Sequence, residues 1–193
     1  MDFEILVNKK HRLDRNYKPQ LYTVDENENN FHNYLDPNLK PMLAIEIKPF
    51  VDQMLKKAWE DEMFIIVDSG YRSYEYQEQI LASIIKKRGE EAYKYVALPG
   101  SSEHQTGLAM DIAYLKNGVY SDDVKDTDRE VTWLKENSYK YGFILRYPQF
   151  CEEITGYAYE PWHYRFVGLN LAEMLYHENI TLEEHYARKR KKD

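Results

Sequence analysis

Residues 101–112 read SSEHQTGLAMDI, and the fold turns on whether this run is a strand or a helix. Leu108, Met110 and Ile112 alternate with Ala109, Asp111 and Ala113, a period of two that predicts a strand over 108–114. A helix would also bring residues seven apart to one face, but Gly107 and the alternation favour the strand. Asp111 then sits between two alanines on one face, with a bulky apolar face behind it. Charged side chains are rarely buried without a partner. His104 stands seven residues upstream, and Gly107 gives the backbone freedom to turn between the two.

The flanking sequence supplies the remaining elements. Residues 3–7, FEILV, read as a strand, and 8–40 read as irregular, with DENENN at 25–30 an exposed loop. From Ile45 to Trp59 the apolar positions Ile47, Phe50, Val51, Met54, Leu55 and Ala58 fall at helical spacing. MFIIV at 63–67 reads as a buried strand. Ser73 caps an expected helix that stops at Gly89, and a brief helix follows around 90–95. KNGV at 116–119 carries an Asn-Gly hairpin turn. Thr127 with Glu130 and Thr181 with Glu184 form capping-box patterns for two further helices, the first ending by Gly142. Residues 143–147 and 163–167 read as strands. Helices mixed with hairpin-linked strands predict an α+β domain.

Composition narrows the function classes. The chain has 193 residues, 43% of them hydrophobic, enough for one sizeable core, so a single domain over 1–193 is expected. A net charge of −7 argues against a general nucleic-acid surface. The basic stretch RKRKK at 188–192 reads as a solvated, frayed tail over 188–193. No apolar run approaches the ~20 residues of a membrane span. The first 19 residues lack the basic start, apolar stretch and small-residue cleavage site of a signal peptide. The single cysteine, Cys151, excludes an intramolecular disulfide and fits a reducing compartment; with no nearby helix N-terminus or base, it reads as an inert thiol. Oligomeric state is not legible.

A second cluster, EPWHYRFV at 160–167, places His163, Arg165 and Val167 on one strand face and Trp162, Tyr164 and Phe166 on the other. Glu160 lies three residues before His163, and Pro161 bends the chain so that Glu160 can reach the same pocket. Two histidines and one carboxylate suit zinc, with a fourth position for water and Glu160 free to take that water's proton. A metal-free buried pair of Asp111 with His163 or Arg165 fits the same residues. Residue types leave both open.

SSEHQTGLAMDI and EPWHYRFVG closely resemble the two signatures of the VanY-type D-alanyl-D-alanine carboxypeptidases, in the zinc peptidase group that includes VanX dipeptidases and the hedgehog fold. SGYRSYEYQ at 69–77, FILRYP at 143–148 and LVNKKHRL at 6–13 resemble further segments of that group. Through YVALPGSSEHQ and YGFILRYP the likeness is closest to the VanXY dipeptidase/carboxypeptidases of vancomycin resistance. The resemblance implies a small central antiparallel sheet with flanking helices and one zinc per chain. It implies His104, Asp111 and His163 as ligands and Glu160 as base. Arg72 would polarise the scissile carbonyl or hold a substrate carboxylate, and Ser102 and Gln77 match substrate-contacting positions. The implied substrate is a D-Ala-terminated peptide or muramyl peptide, met in the cytoplasm if no leader directs the chain elsewhere. Ser69, where some dual-function relatives carry an acid, bears on the dipeptidase activity. An L,D-carboxypeptidase, an L-Ala-D-Glu endopeptidase and a non-catalytic zinc-stabilised binding module would share the same metal residues.

Overall fold

The computed structural model describes residues 1–24 and 40–191, so the DENENN loop lies outside the described residues. Strands β1 (Leu21–Thr23) and β2 (Met42–Ala44) pair as a two-stranded antiparallel ribbon. The main sheet is antiparallel and contains β3 (Ile65–Ser69), β4 (Ala109–Lys116), β5 (Val119–Ser121), β6 (Phe143–Leu145) and β7 (His163–Phe166). Its order is β3-β4-β7-β6, with β5 hairpinned onto the far end of β4. Around it lie α1 (Lys48–Glu60), α2 (Tyr74–Arg88), α3 (Ala92–Tyr95), α4 (Arg129–Asn137), α5 (Glu152–Thr155), α6 (Leu169–Glu178) and α7 (Leu182–Lys189). The α+β class with a small antiparallel sheet is as expected.

The core forms on one face of β4. Leu108, Met110, Ile112 and Tyr114 pack with Val51, Met54, Leu55 and Ala58 of α1 and with Tyr164 and Phe166 of β7. Those α1 positions are spaced i, i+3, i+4 and i+7, one stripe of a helix. Full burial of such side chains stabilises by about 1.5–3 kcal/mol each, so the alternation read from 108–114 is enforced by this packing. The Asn-Gly hairpin forms as expected, with Asn117 at φ 52° and Gly118 at φ 79°, both left-handed as a type I′ turn requires.

Four expectations change. FEILV is no strand: the carbonyls of Phe3 and Ile5 accept hydrogen bonds from Arg165 Nη2 at 3.1 and 2.8 Å. A buried guanidinium thus takes the place of a ladder partner. Thr127 caps nothing; the N-cap of α4 is Asp128, whose carboxylate accepts from the backbone N–H of Lys125 at 2.7 Å and bonds the Tyr114 hydroxyl instead of the helix. Helix α6, not anticipated, buries Leu171, Ala172 and Leu175. The basic stretch begins ordered, since α7 takes in Arg188 and Lys189 and Arg188 pairs with Glu178. Cys151 does stand at the N-cap of α5, a four-residue helix, yet burial and the nearby Glu184, Glu152 and Glu183 push its thiol up, which keeps it unreactive.

The Thr181 box forms in full. Its hydroxyl accepts from Glu184 N–H at 3.2 Å, and Glu184 Oε2 accepts from Thr181 N–H at 2.8 Å. Thr181→Ala is expected to lower stability by about 1 kcal/mol, read as a shift in the urea midpoint at unchanged slope. An unmoved midpoint would mean that α7 is held by its apolar face alone.

Candidate active site

Three segments converge where β3, β4 and β7 meet. The register sets Asp111 directly opposite His163 on one side and Ser69 on the other, with a bulge between Val67 and Ser69. Cross-strand partners project to the same face, so Asp111 and His163 stand side by side. His104 comes from a 3₁₀ turn, Glu103–Thr106, that closes at Gly107. Gly107 has φ 69°, and an added Cβ would lie 3.0 Å from the Ala44 nitrogen and 3.1 Å from Pro19. Only glycine takes that turn without strain, and the turn swings His104 back over Asp111.

The SGYR segment is tied to this turn by two bonds. His104 Nδ1 lies 2.6 Å from the Gly70 carbonyl oxygen, and Arg72 N–H donates to the His104 carbonyl at 3.2 Å. A carbonyl accepts only, so Nδ1 carries the proton and Nε2 presents its lone pair. Gly70 is required for a different reason: a Cβ there would fall 2.2 Å from the Met42 carbonyl oxygen, where β2 crosses.

One ligating atom from each of His104, Asp111 and His163 lies within 4.8 Å of the others. His104 Nε2 is 3.3 Å from Asp111 Oδ2, and His163 Nδ1 is 3.0 Å from Asp111 Oδ1. The two rings meet edge to face at 4.9 Å. Glu160 Oε2 stands 3.7 Å from His163 Nδ1, brought round by the turn at Pro161, in which His163 N–H bonds the Glu160 carbonyl. Arg72 Nη2 pairs with Asp111 Oδ2 at 2.9 Å. Arg165 does not pair with Asp111. It binds Glu103 Oε1 at 2.8 Å, as does Arg146 at 2.7 Å, so that branch of the metal-free alternative fails. The Asp111–His163 contact of the other branch is present.

The electrostatics suit a cation at this point. Burial and Arg72 lower His104 to about 4 despite Asp111, which keeps its imidazole neutral, as a metal ligand must be. Burial works against charge on His163 too, yet the hydrogen-bonded Asp111 carboxylate and the nearby carboxylates of Glu103 and Glu160 raise it to about 9. Burial would raise Asp111, but His104 and His163 hold it well below the usual carboxylate range. Burial raises Glu160, and Asp111 and Glu103 add to the rise against His163 and Arg72. Asp111 and Glu160 thus crowd one point with His104 Nε2 and His163 Nδ1, and a divalent ion that displaces the His163 proton satisfies that donor set.

A cavity of about 250 Å³ opens over these groups. Its walls include Arg72, Gln77, Ser102, Tyr147, Tyr157 and Trp162. Gln77 donates Nε2 to the Ala97 carbonyl at 2.8 Å and leaves its buried Oε1 without a bond. Ser102 is buried at the wall. Trp162, expected on the aromatic core face, lies at the rim and is 36% exposed; it precedes the first residue of β7, where the sheet no longer covers it. Tyr147 packs its ring 4.9 Å from that of His163. Tyr147 and Tyr157 were not legible as site residues, because aromatic residues in FILRYP and TGYAYE carry no spacing signal. A larger cavity of about 540 Å³ lies between the N-terminal segment, α5 and α7, but none of the three converging side chains reaches it.

Two histidines and an aspartate with a free glutamate beside them form the donor set of a metal-dependent hydrolase. The family model of the VanY D-alanyl-D-alanine carboxypeptidases matches residues 40–169, and the chain belongs to this family of peptidases. It is 38% identical over 188 residues to the putative carboxypeptidase YodJ of Bacillus subtilis, covering 96% of this chain and 67% of that protein. It is 34% identical to the bifunctional D-Ala-D-Ala dipeptidase and carboxypeptidase VanXYC of Enterococcus gallinarum, covering 94% of this chain and 92% of the relative. Among solved structures it resembles the LdcB LD-carboxypeptidase, with TM-score 0.84, 38% identity, and coverage of 94% of this chain and 84% of that one. It also resembles a VanY D,D-pentapeptidase from a VanB-type resistance cassette in complex with Zn(II), with TM-score 0.78, 34% identity, and coverage of 96% and 99%.

Proposed function

We propose that this chain is a zinc D,D-carboxypeptidase that removes the terminal D-Ala from cell-wall peptides ending in D-Ala-D-Ala. The observation that carries the reading is the convergence of His104, Asp111 and His163 within 4.8 Å, with Glu160 beside them, on the floor of a small cavity. His104 Nε2, the Asp111 carboxylate and His163 Nδ1 would hold one zinc ion. Bound zinc supplies Lewis-acid polarisation and lowers the pKa of coordinated water to about 7. Glu160 takes the proton of the attacking water and returns it to the departing amine, and its raised carboxyl pKa makes it a better acceptor. One Arg72 donor is held by Asp111; the others are free to bind the scissile carbonyl or the terminal carboxylate. Ser102 and the open Oε1 of Gln77 orient the peptide end. A cavity of about 250 Å³ suits the last residues of a peptide, with the muramyl portion outside.

The cytoplasmic pentapeptide precursor on nucleotide-linked muramic acid is the substrate pool we assign. Trimming it would deplete the target of vancomycin-type antibiotics. A second reading, cleavage of tetrapeptides as an L,D-carboxypeptidase, is favoured by the likeness to LdcB. Product analysis on D-Ala-D-Ala, muramyl pentapeptide and muramyl tetrapeptide separates the two. D-Ala release from pentapeptide is the expected result; release from tetrapeptide alone would exclude the D,D reading. Cleavage of the free dipeptide would add dipeptidase activity.

Metal content is an independent measure. Elemental analysis should return about one zinc per chain for three protein ligands and an open position. His104→Ala should lower that occupancy, and undiminished zinc would remove His104 from the ligand set.

A further inference from the structure

Glu103 is fully buried, and only one of its oxygens is accounted for. Oε1 accepts from Arg146 Nε at 2.7 Å and from Arg165 Nη1 at 2.8 Å. Oε2 has no hydrogen-bond partner among the described residues. It faces His163 Nε2 at 3.6 Å, and that nitrogen is buried and unbonded as well. Two orphaned buried atoms of complementary type, aimed at one another beside the candidate metal ligands, call for an explanation.

We propose that Glu103 is a positioning residue that keeps a proton on His163 Nε2, so that Nδ1 offers its lone pair to the metal. This rests on the reading of His104, Asp111 and His163 as a zinc site. A neutral imidazole has one donor and one acceptor nitrogen, and the partner of one fixes the role of the other. His104 is set by the Gly70 carbonyl on Nδ1. For His163 the hydrogen-bonded acceptor here is Asp111, 3.0 Å from Nδ1; Glu103 Oε2, 3.6 Å from the opposite nitrogen, stands ready to hold the proton on Nε2 when a metal takes Nδ1. The rings therefore present Nε2 and Nδ1 respectively, the two atoms that approach Asp111. The carboxylate cannot rotate away, because its two arginines are anchored elsewhere. Arg146 forks onto Glu183 of α7 at 2.6 and 2.9 Å, and Arg165 reaches the carbonyls of Phe3 and Ile5. Elements remote from the cavity thereby fix a ligand's tautomer.

Glu103→Gln separates these roles. The amide oxygen can still accept from Arg146 and Arg165, while the amide N–H₂ then faces His163 Nε2 as a donor and drives the proton to Nδ1. Zinc affinity, measured by chelator competition, should fall about 10–100-fold. Imidazole ¹⁵N spectra of the zinc-loaded wild type should place the His163 proton on Nε2, and those of the zinc-free variant on Nδ1. A folded variant with unchanged zinc affinity would overturn the role, as would zinc on His163 Nε2 in the wild type. A wild-type spectrum with zinc on His163 Nε2 would overturn the role even if the variant does not fold. Zinc uptake with an indifferent variant would sink the role of Glu103 alone, whereas a wild type that takes up no zinc would remove the metal site and this role together.

Discussion

Glu160→Gln is expected to slow release of D-Ala from a pentapeptide by about 10²–10⁴-fold, the usual contribution of a positioned acid–base group. Zinc content should stay at the wild-type level, because Glu160 is not among the three converging ligand residues. Glutamine keeps the shape of the side chain but replaces one acceptor oxygen with an N–H₂ donor and removes the negative charge, so it cannot take the proton. Steady-state kinetics and elemental analysis on one preparation give both readouts. A variant with normal zinc and normal turnover would remove Glu160 from catalysis. A wild type that binds zinc yet hydrolyses no D-Ala-terminated peptide would favour a zinc-stabilised binding module.

Glu103→Ala is expected to cost about 3–5 kcal/mol of folding stability, the range for breaking a buried ion pair from one side. It strands Arg146 and Arg165, both buried with side chains 0% exposed. Among the described residues, Arg146 alone of the two keeps a carboxylate, that of Glu183. The loss has a pH signature. Burial alone would raise the Glu103 carboxyl, but Arg146 and Arg165, helped by His163, hold it far below the ordinary range. A depressed folded-state value means that the contribution is complete above the unfolded-chain value of about 4.3 and is lost as pH falls below it toward the folded one. Wild type and variant should therefore differ most near neutral pH and converge in acid. Urea unfolding at neutral and acid pH tests this; an equal gap at both would show that the pair does not supply the difference.

The legible part of the fold was the part written in local pattern. The alternation through Leu108, Met110 and Ile112, the Asn-Gly turn, the Ser73 cap and the Thr181 box each depend on neighbours within a few residues, and each formed. Local pattern misled where a distant group intervened. FEILV has strand composition, yet Arg165 takes its carbonyls from across 160 residues or more. Thr127 and Glu130 have capping-box spacing, yet the Asp128 carboxylate is engaged by Tyr114 and Lys125. No short window contains such partners.

The site divides in the same way. His104, Asp111, Glu160 and His163 stand out in the sequence because their residue types and order match a known signature, and because one bend at Gly107 and another at Pro161 suffice to turn them inward. The sequence alone left Asp111 equally open to a metal, to His163 and to Arg165. Only the tertiary structure decided that Arg165 belongs to Glu103, that Gly70 and Glu103 face opposite nitrogens of the two histidines, and that Tyr147 backs His163. The reason is physical: a side chain's type fixes what it can donate or accept, whereas its partner is set by which strands and turns the packed core brings within about 3 Å.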